Sequence, residues 1–346
     1  MIKSEKIKRS QNILWRLFFF FILSPLWLWG TLSLLFGSWP ITACATLSVF
    51  YIFTQITILL MVPVKRIFLS SLLLFMIPLI SWFLMAPSHD RKWQPDVAKM
   101  PYAEFEEDKI IVHNVRNNDY ISEADFEPRF ETRIYRLSEL RSVDLFLTDW
   151  GLGHIAHTMI SFGFDNNRYL CLSIETRKEE GESYSALRGF FRQYELIYIL
   201  ADERDLVRLR TNFRKDEDVY LYRIRIASLD RSRQTLLKFL NRINDLHKNP
   251  EWYNALSENC MTSAFRIVRK NAAPGRGKWH WSVILNGYAD ENAYKNGIID
   301  TSLPFDRLKQ TSRINERAMA AGNSIDFSAK IRNGLPGMNW MPPKGE

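Results

Sequence analysis

A chain of 346 residues is long enough for two domains, but its apolar residues crowd toward one end. The net charge of +8 suggests nucleic acid until it is divided: residues 1–86 hold seven of the 46 Lys/Arg and one of the 38 acidic residues, and everything after them is close to neutral. The basic excess is therefore topological and excludes a nucleic-acid partner. Three cysteines, Cys44, Cys171 and Cys260, exclude a disulfide framework and a four-cysteine zinc site, although an oxidising compartment would permit a Cys171–Cys260 bridge.

In chain order, three apolar runs come first: Ile13–Phe36, Ile41–Val62 and Ile67–Ala86. Each is about 20 residues or longer, the length a helix needs to cross a hydrocarbon core. Loops as short as Gly37–Pro40 and Pro63–Arg66 argue for membrane spans over buried soluble helices. Arg16, one turn into the first run, is expected to snorkel to the headgroups. Lys3, Lys6, Lys8 and Arg9 precede the first span, Lys65 and Arg66 fill the second turn, and Gly37-Ser38-Trp39-Pro40 has no basic residue. Basic loops stay cytoplasmic, which predicts a cytoplasmic N-terminus in an inner membrane and a periplasmic C-terminal domain. The first run is too long for a signal peptide and two more follow it. Ile41-Thr42-Ala43-Cys44 loosely resembles a lipoprotein cleavage box but opens a second apolar run, so Cys44 reads as an ordinary membrane-helix cysteine.

The anchor occupies residues 1–86 and a proline-bearing tether residues 87–108. β-rich stretches then follow at Lys109–Val115, Thr132–Leu137, Val143–Leu147, His157–Phe164, Tyr169–Thr176, Leu196–Leu200 and Val219–Ile226. Asp165-Asn166-Asn167 is a hairpin turn between two of them. From Arg231 the period changes: Leu236, Phe239, Leu240, Ile243 and Leu246 fall at helical spacing, with Asp230 as the expected N-cap and Pro250 beyond the end. A second helix is expected from about Asn259 to Lys270, capped by Ser257 or Asn259. The domain spans 109–321 as one α+β unit, and an irregular Gly/Pro/Asn-rich tail fills 322–346.

Cys260 is the candidate nucleophile. It falls in the first turn of the second helix, where unpaired N–H groups and the positive end of the dipole favour a thiolate and offer part of an oxyanion hole. The bland reading is a small buried apolar residue. Of six histidines, His157 opens a strand at a core edge and is the candidate base. His154 lies three residues away, which on one strand points the two rings to opposite faces and argues against a metal pair. If the hairpin loop is Asp165–Asn167, Phe164 faces Arg168 and the same register sets His157 opposite Glu175, which would orient the imidazole. A slip of one residue would replace Glu175 with Thr176. Alternatively Glu175 is a surface residue paired with Arg177 or Lys178. Trp252, Tyr253 and Phe265 line an acyl groove or belong to the core, and Asp202, Glu203, Arg204 and Asp205 read as a structural ion-pair network.

Several of these motifs, in this order, resemble the Lnb N-terminal periplasmic domain family: Ala156-His157-Thr158 with Ser161-Phe162-Gly163-Phe164, Ser173-Ile174-Glu175-Thr176-Arg177, Tyr194-Glu195-Leu196-Ile197-Tyr198, Asp202-Glu203-Arg204-Asp205, and Pro250-Glu251-Trp252-Tyr253-Asn254 with Asn259-Cys260. The resemblance runs from about Trp93 to Asp300; Met261 stands where the family usually has threonine. It implies a papain-like, circularly permuted NlpC-type fold related to lecithin:retinol acyltransferase-like enzymes, with histidine before cysteine in the chain. It further implies a nucleophilic Cys260, a base His157 and no cofactor or metal. The expected activity is acyl transfer or acyl hydrolysis on membrane lipid or lipoprotein through a thioester. The alternatives are an NlpC-like peptidase or amidase acting on cell wall or periplasmic peptides, and a non-catalytic tethered binding protein in which Cys260 only packs.

Overall fold

Three long helices open the chain in the computed structural model, which describes residues 2–37, 39–151, 153–226, 228–255, 257–269, 280–283 and 285–340. They are α1 (Ile2–Leu35), α2 (Ile41–Met61) and α3 (Val64–Leu84), all long and apolar enough to cross a membrane. Since lipid is as apolar as their side chains, packing and polar contacts must hold them together. Trp27 Nε1 donates to Ser71 Oγ at 2.7 Å, Ser71 Oγ donates to Gln55 Oε1 at 2.6 Å, and Gln55 Nε2 donates to Tyr51 Oη at 3.0 Å. That chain ties all three helices. Gly30 lets α1 approach α2, since a Cβ there would lie 2.7 Å from Tyr51 Oη. The Arg16 guanidinium donates to the carbonyls of Leu59 and Val62, closing the C-terminal end of α2. The segment Tyr184–Tyr194 belongs to this helical unit. There Arg192 donates to Trp82 O at 2.8 Å and lies 3.7 Å over the Trp82 ring, and Phe191 meets the rings of Trp29 and Phe36.

The second unit is mixed α/β. Its strands are β1 (Tyr102–Glu106), β2 (Lys109–Arg116), a small ribbon β3 (Asp119–Tyr120) and β4 (Phe126–Glu127), β5 (Phe130–Arg136), β6 (Leu140–Asp149), β7 (Ala156–Phe164), β8 (Arg168–Arg177), β9 (Glu195–Ala201) and β10 (Asp218–Arg223). Among the described residues the main sheet has the order β1-β2-β9-β8-β7-β6-β10, with β5 also pairing β2. Only the β2–β9 pair is parallel. The helices are α4 (Glu203–Arg208), α5 (Leu229–Lys248), α6 (Cys260–Arg269), α7 (Ala289–Lys295), α8 (Phe305–Ser312), α9 (Asn315–Ala321) and α10 (Phe327–Arg332).

Helix α5 covers the sheet with the stripe read from the sequence: Leu236, Phe239, Leu240, Ile243 and Leu246 are all fully buried. Each contributes about 1.5–3 kcal/mol of burial. Its N-cap is Ser228, whose Oγ accepts the Asp230 N–H at 3.2 Å; Asp230 already lies inside the helix. Two stretches expected to be irregular contain regular structure, the second within residues 322–340, with 341–346 outside the described residues. The 87–108 tether contains β1, because Tyr102–Glu106 pairs antiparallel with Lys109–His113 across a tight turn at Glu107. The 322–346 tail contains α10, because Phe327 and Ile331 bury one turn apart. Arg332 then forks onto Glu203 at 2.6 and 2.7 Å and reaches Asp144 at 2.9 Å. With Asp205 on Arg116 and Asp202 on Arg133, the three acids form the expected ion pairs, while Arg204 donates to Asn117 Oδ1 at 3.2 Å.

Candidate active site

The β7–β8 hairpin turns through Asp165–Asn167, with Asn166 and Asn167 at φ 59° and 54°. Asparagine tolerates that left-handed conformation, so three polar residues suffice for the turn. Phe164 faces Arg168 and Met159 faces Ser173; the same register carried outward sets His157 beside Glu175. Because side chains alternate, His157, Ser173 and Glu175 share one face.

His157 Nε2 lies 2.7 Å from Ser173 Oγ and 3.5 Å from Glu175 Oε1, and Ser173 Oγ lies 2.7 Å from Glu175 Oε1. The ionised carboxylate only accepts, so the serine hydrogen points to Glu175 and the serine oxygen accepts from His157. The proton of the neutral ring therefore sits on Nε2, which leaves Nδ1 to face the sulfur. Arg210, on the wide helical turn after α4, donates to Glu175 at 3.0 Å and to Glu217 at 3.3 Å. The sequence held a signal for Ser173, two residues from Glu175 on the same strand face, but none for Arg210, which arrives from a distant turn.

Cys260 is the first residue of α6 and is buried. Its helix is capped by Asn259, whose Oδ1 accepts from the N–H groups of Met261 and Thr262 at 3.0 and 2.9 Å. Those two groups, expected to serve an oxyanion hole, are thus taken by the cap. Asn286 was not foreseen: its Nδ2 donates to Cys260 Sγ at 3.6 Å. It is buried, and it binds the Ala156 backbone on both sides, Oδ1 accepting the Ala156 N–H at 2.8 Å and Nδ2 donating to the Ala156 carbonyl. Gly287 N–H donates to His154 O at 3.2 Å, and a Cβ at Gly287 would lie 2.7 Å from Gly153 O and His154 C. Only glycine permits this backbone-to-backbone contact.

The electrostatics favour a thiolate–imidazolium pair. Burial pushes the Cys260 thiol up, but the His157 charge and hydrogen bond and the Thr158 N–H outweigh it and leave the thiol below its ordinary value. Burial and Arg210 push His157 down, yet the sulfur and the Glu175 bond carry it above the ordinary histidine value. Burial raises the Glu175 carboxyl, and the His157 bond and Arg210 charge hold it well below the usual carboxylate range. Cationic Arg210 and the anions of Cys260 and Glu175 therefore act on His157 in opposite directions, and the anions prevail.

The structure thus brings together Cys260, His157 and Glu175 from α6, β7 and β8. The alternative partners of Glu175 are elsewhere: Arg177 donates to Val97 O and Ala98 O. His154 turns to Tyr288 Oη at 2.7 Å. Trp252 pairs by its backbone with Glu195 and lies under Arg91, and Tyr253 is buried; both serve the packing. Cys171 is a free, fully buried thiol on β8, so no Cys171–Cys260 bridge forms. On the segments flanking His154 and Asn286, Trp150, Ile155, Trp281 and Leu285 are exposed apolar side chains.

No curated protein and no solved structure matches the chain. The family model of the Lnb N-terminal periplasmic domain matches residues 126–287, a stretch that contains His157, Glu175, Cys260 and Asn286.

Proposed function

We propose that the protein is a membrane-anchored thiol acyltransferase or acyl hydrolase that acts on lipid or lipoprotein through a thioester at Cys260. The observation that carries this reading is the placement of Cys260, at the start of α6, beside the start of β7. There Asn286 bridges the Cys260 sulfur and the backbone of Ala156 next to His157, backed by the His157–Ser173–Glu175–Arg210 chain. A packing cysteine has no need of a hydrogen-bonded imidazole. Nor does it need a buried carboxylate aimed at that imidazole. The order of these residues, histidine strand before cysteine helix, fits a permuted papain-like arrangement, which depends on geometry and not on chain order.

In the reaction, the thiolate attacks an ester carbonyl. The S–C bond forms as the carbonyl π pair moves to oxygen. Collapse breaks the ester C–O bond, and the departing alkoxide takes the proton held by His157. An amine, hydroxyl or water acceptor then gives its proton to His157 as its lone pair bonds the thioester carbon, and collapse breaks the S–C bond, returning the pair to the Cys260 thiolate. Ser173 keeps the imidazole from rotating, and Glu175 stabilises its charged form. Exposed Ile155, Trp281 and Leu285, on the segments flanking His154 and Asn286, favour an acyl chain over a polar wall peptide. Basic residues before α1 and between α2 and α3 support a cytoplasmic N-terminus, with the domain released on the periplasmic side.

The test is incubation of the purified protein, in detergent, with acyl-labelled phospholipid. A hydroxylamine-sensitive label on Cys260 is expected, absent in Cys260→Ala and slowed by about a hundredfold or more in His157→Ala. Absence of label from the wild type, or label that persists in Cys260→Ala, contradicts the reading.

A further inference from the structure

We infer that Asn286 is a catalytic residue, the side-chain donor that receives the oxyanion formed when the Cys260 sulfur attacks a carbonyl. This rests on the thiol acyl-transfer reading above and adds to it a group from outside the Cys–His–Glu set. Attack at a carbonyl puts a full charge on oxygen in a buried place, and some N–H must be waiting for it. The usual source at a helix start is closed here. The Met261 and Thr262 N–H groups point back to Asn259 Oδ1, so they are spent on the cap.

Asn286 supplies what the cap removes. Its amide cannot be turned around, because Ala156 offers an N–H to one end and a carbonyl to the other. Oδ1 must therefore be the acceptor and Nδ2 the donor, an assignment made by the backbone itself. Nδ2 carries two hydrogens: one goes to the Ala156 carbonyl and the second is directed at Cys260 Sγ, 3.6 Å away. The contact is long for a hydrogen bond to sulfur alone. A carbonyl oxygen in the tetrahedral intermediate stands one carbon beyond the sulfur. There it meets the same N–H without any movement of the side chain. The N–H of Cys260, which as the first helical residue has no intrahelical acceptor, is the natural second donor.

The support around Asn286 is stiff. The residue is buried, and Gly287 next to it lies against the backbone of Gly153 and His154 with no room for a Cβ. Donors pre-set in this way need not reorganise as charge develops, which is where such groups gain their effect. In the step, sulfur donates its pair to the carbonyl carbon and the π pair becomes an oxygen lone pair that accepts the Asn286 N–H. Return of that pair expels the alkoxide, which His157 protonates.

Two electrophiles separate this role from a structural one. A p-nitrophenyl acyl ester reacts through an oxyanion; iodoacetamide alkylates the same sulfur by direct displacement at a saturated carbon and forms none. Full-length wild type, Asn286→Ala and Asn286→Asp are compared in detergent, each at its limiting rate above the thiol pKa. Asn286→Asp keeps an acceptor for the Ala156 N–H and removes the donor aimed at sulfur. Acylation is expected to fall by about a hundredfold or more in both variants, with the limiting alkylation rate of Asn286→Ala unchanged. Undiminished acylation overturns the assignment. Equal losses in the two reactions overturn it as well, since they mean a displaced sulfur. If the wild type alkylates but never acylates, the acyl-transfer reading fails and Asn286 falls with it.

Discussion

Glu175 accepts from two donors, Ser173 at 2.7 Å and Arg210 at 3.0 Å, and His157 Nε2 lies 3.5 Å away. Burial raises its carboxyl, but His157 and the Arg210 charge hold it well below the carboxylate range. A carboxylate whose folded pKa lies below its unfolded value of about 4.3 stabilises the fold fully above that value. The contribution is lost as pH falls from there through the folded pKa. Glu175→Gln removes the charge while keeping the shape, and leaves Arg210 with Glu217 alone. The variant is expected to be less stable than wild type at pH 7, by on the order of 2 kcal/mol. Thermal unfolding measured from pH 7 downward should show the gap closing below pH ~4. A gap independent of pH would mean that the Glu175 charge does not matter.

At the scale of elements, the site depends on a hairpin, a capped helix and a glycine contact, and these were unequally legible. The β7–β8 hairpin was legible up to its register: a polar three-residue turn between alternating apolar strands suggested the pairing of Phe164 with Arg168 that the ladder shows. A slip of one residue, which would have put Thr176 in place of Glu175, is ruled out only by the folded sheet. The start of α6 was also legible, since Asn259 is a good cap immediately before an apolar stripe. Asn286 was not: it lies on the loop Asn286–Tyr288, and its role comes from contact with Ala156, far away in sequence. Order within 87–108 and 322–346 was hidden for a related reason, since a short strand or helix gains its stability from the sheet or the ion pair it meets. The glycine contact can be tested directly. Gly287→Ala puts a Cβ against the Gly153–His154 backbone and should force the two loops apart. A cost of about 1–3 kcal/mol in stability is expected, together with a loss of Cys260 acylation of about a hundredfold as Asn286 shifts. A variant that acylates at the wild-type rate would show that the loop position is unimportant.

For the whole molecule, three apolar helices together with a periplasmic-domain family describe a membrane protein with a periplasmic domain. The apolar spans were plain from hydropathy alone, whereas the meeting of residues 157, 175 and 260 is a product of the folded sheet and of a helix that follows it by a hundred residues. That meeting is the central claim, and it makes a thiol property conditional on the fold. Neither Cys260 nor His157 is unusual by itself; each shifts the other because the sheet holds them together. Cys171, free and buried on β8, provides a contrast within the same domain: burial pushes its thiol far up. The most direct measurement is the pH profile of Cys260 alkylation, read by mass spectrometry of the Cys260 peptide in native protein, in urea-unfolded protein and in His157→Ala. The account predicts a native midpoint clearly below the free-thiol value of about 8.5, returning toward that value on unfolding and on loss of the imidazole. A native midpoint at or above the free-thiol value, or one that His157→Ala leaves in place, would contradict it.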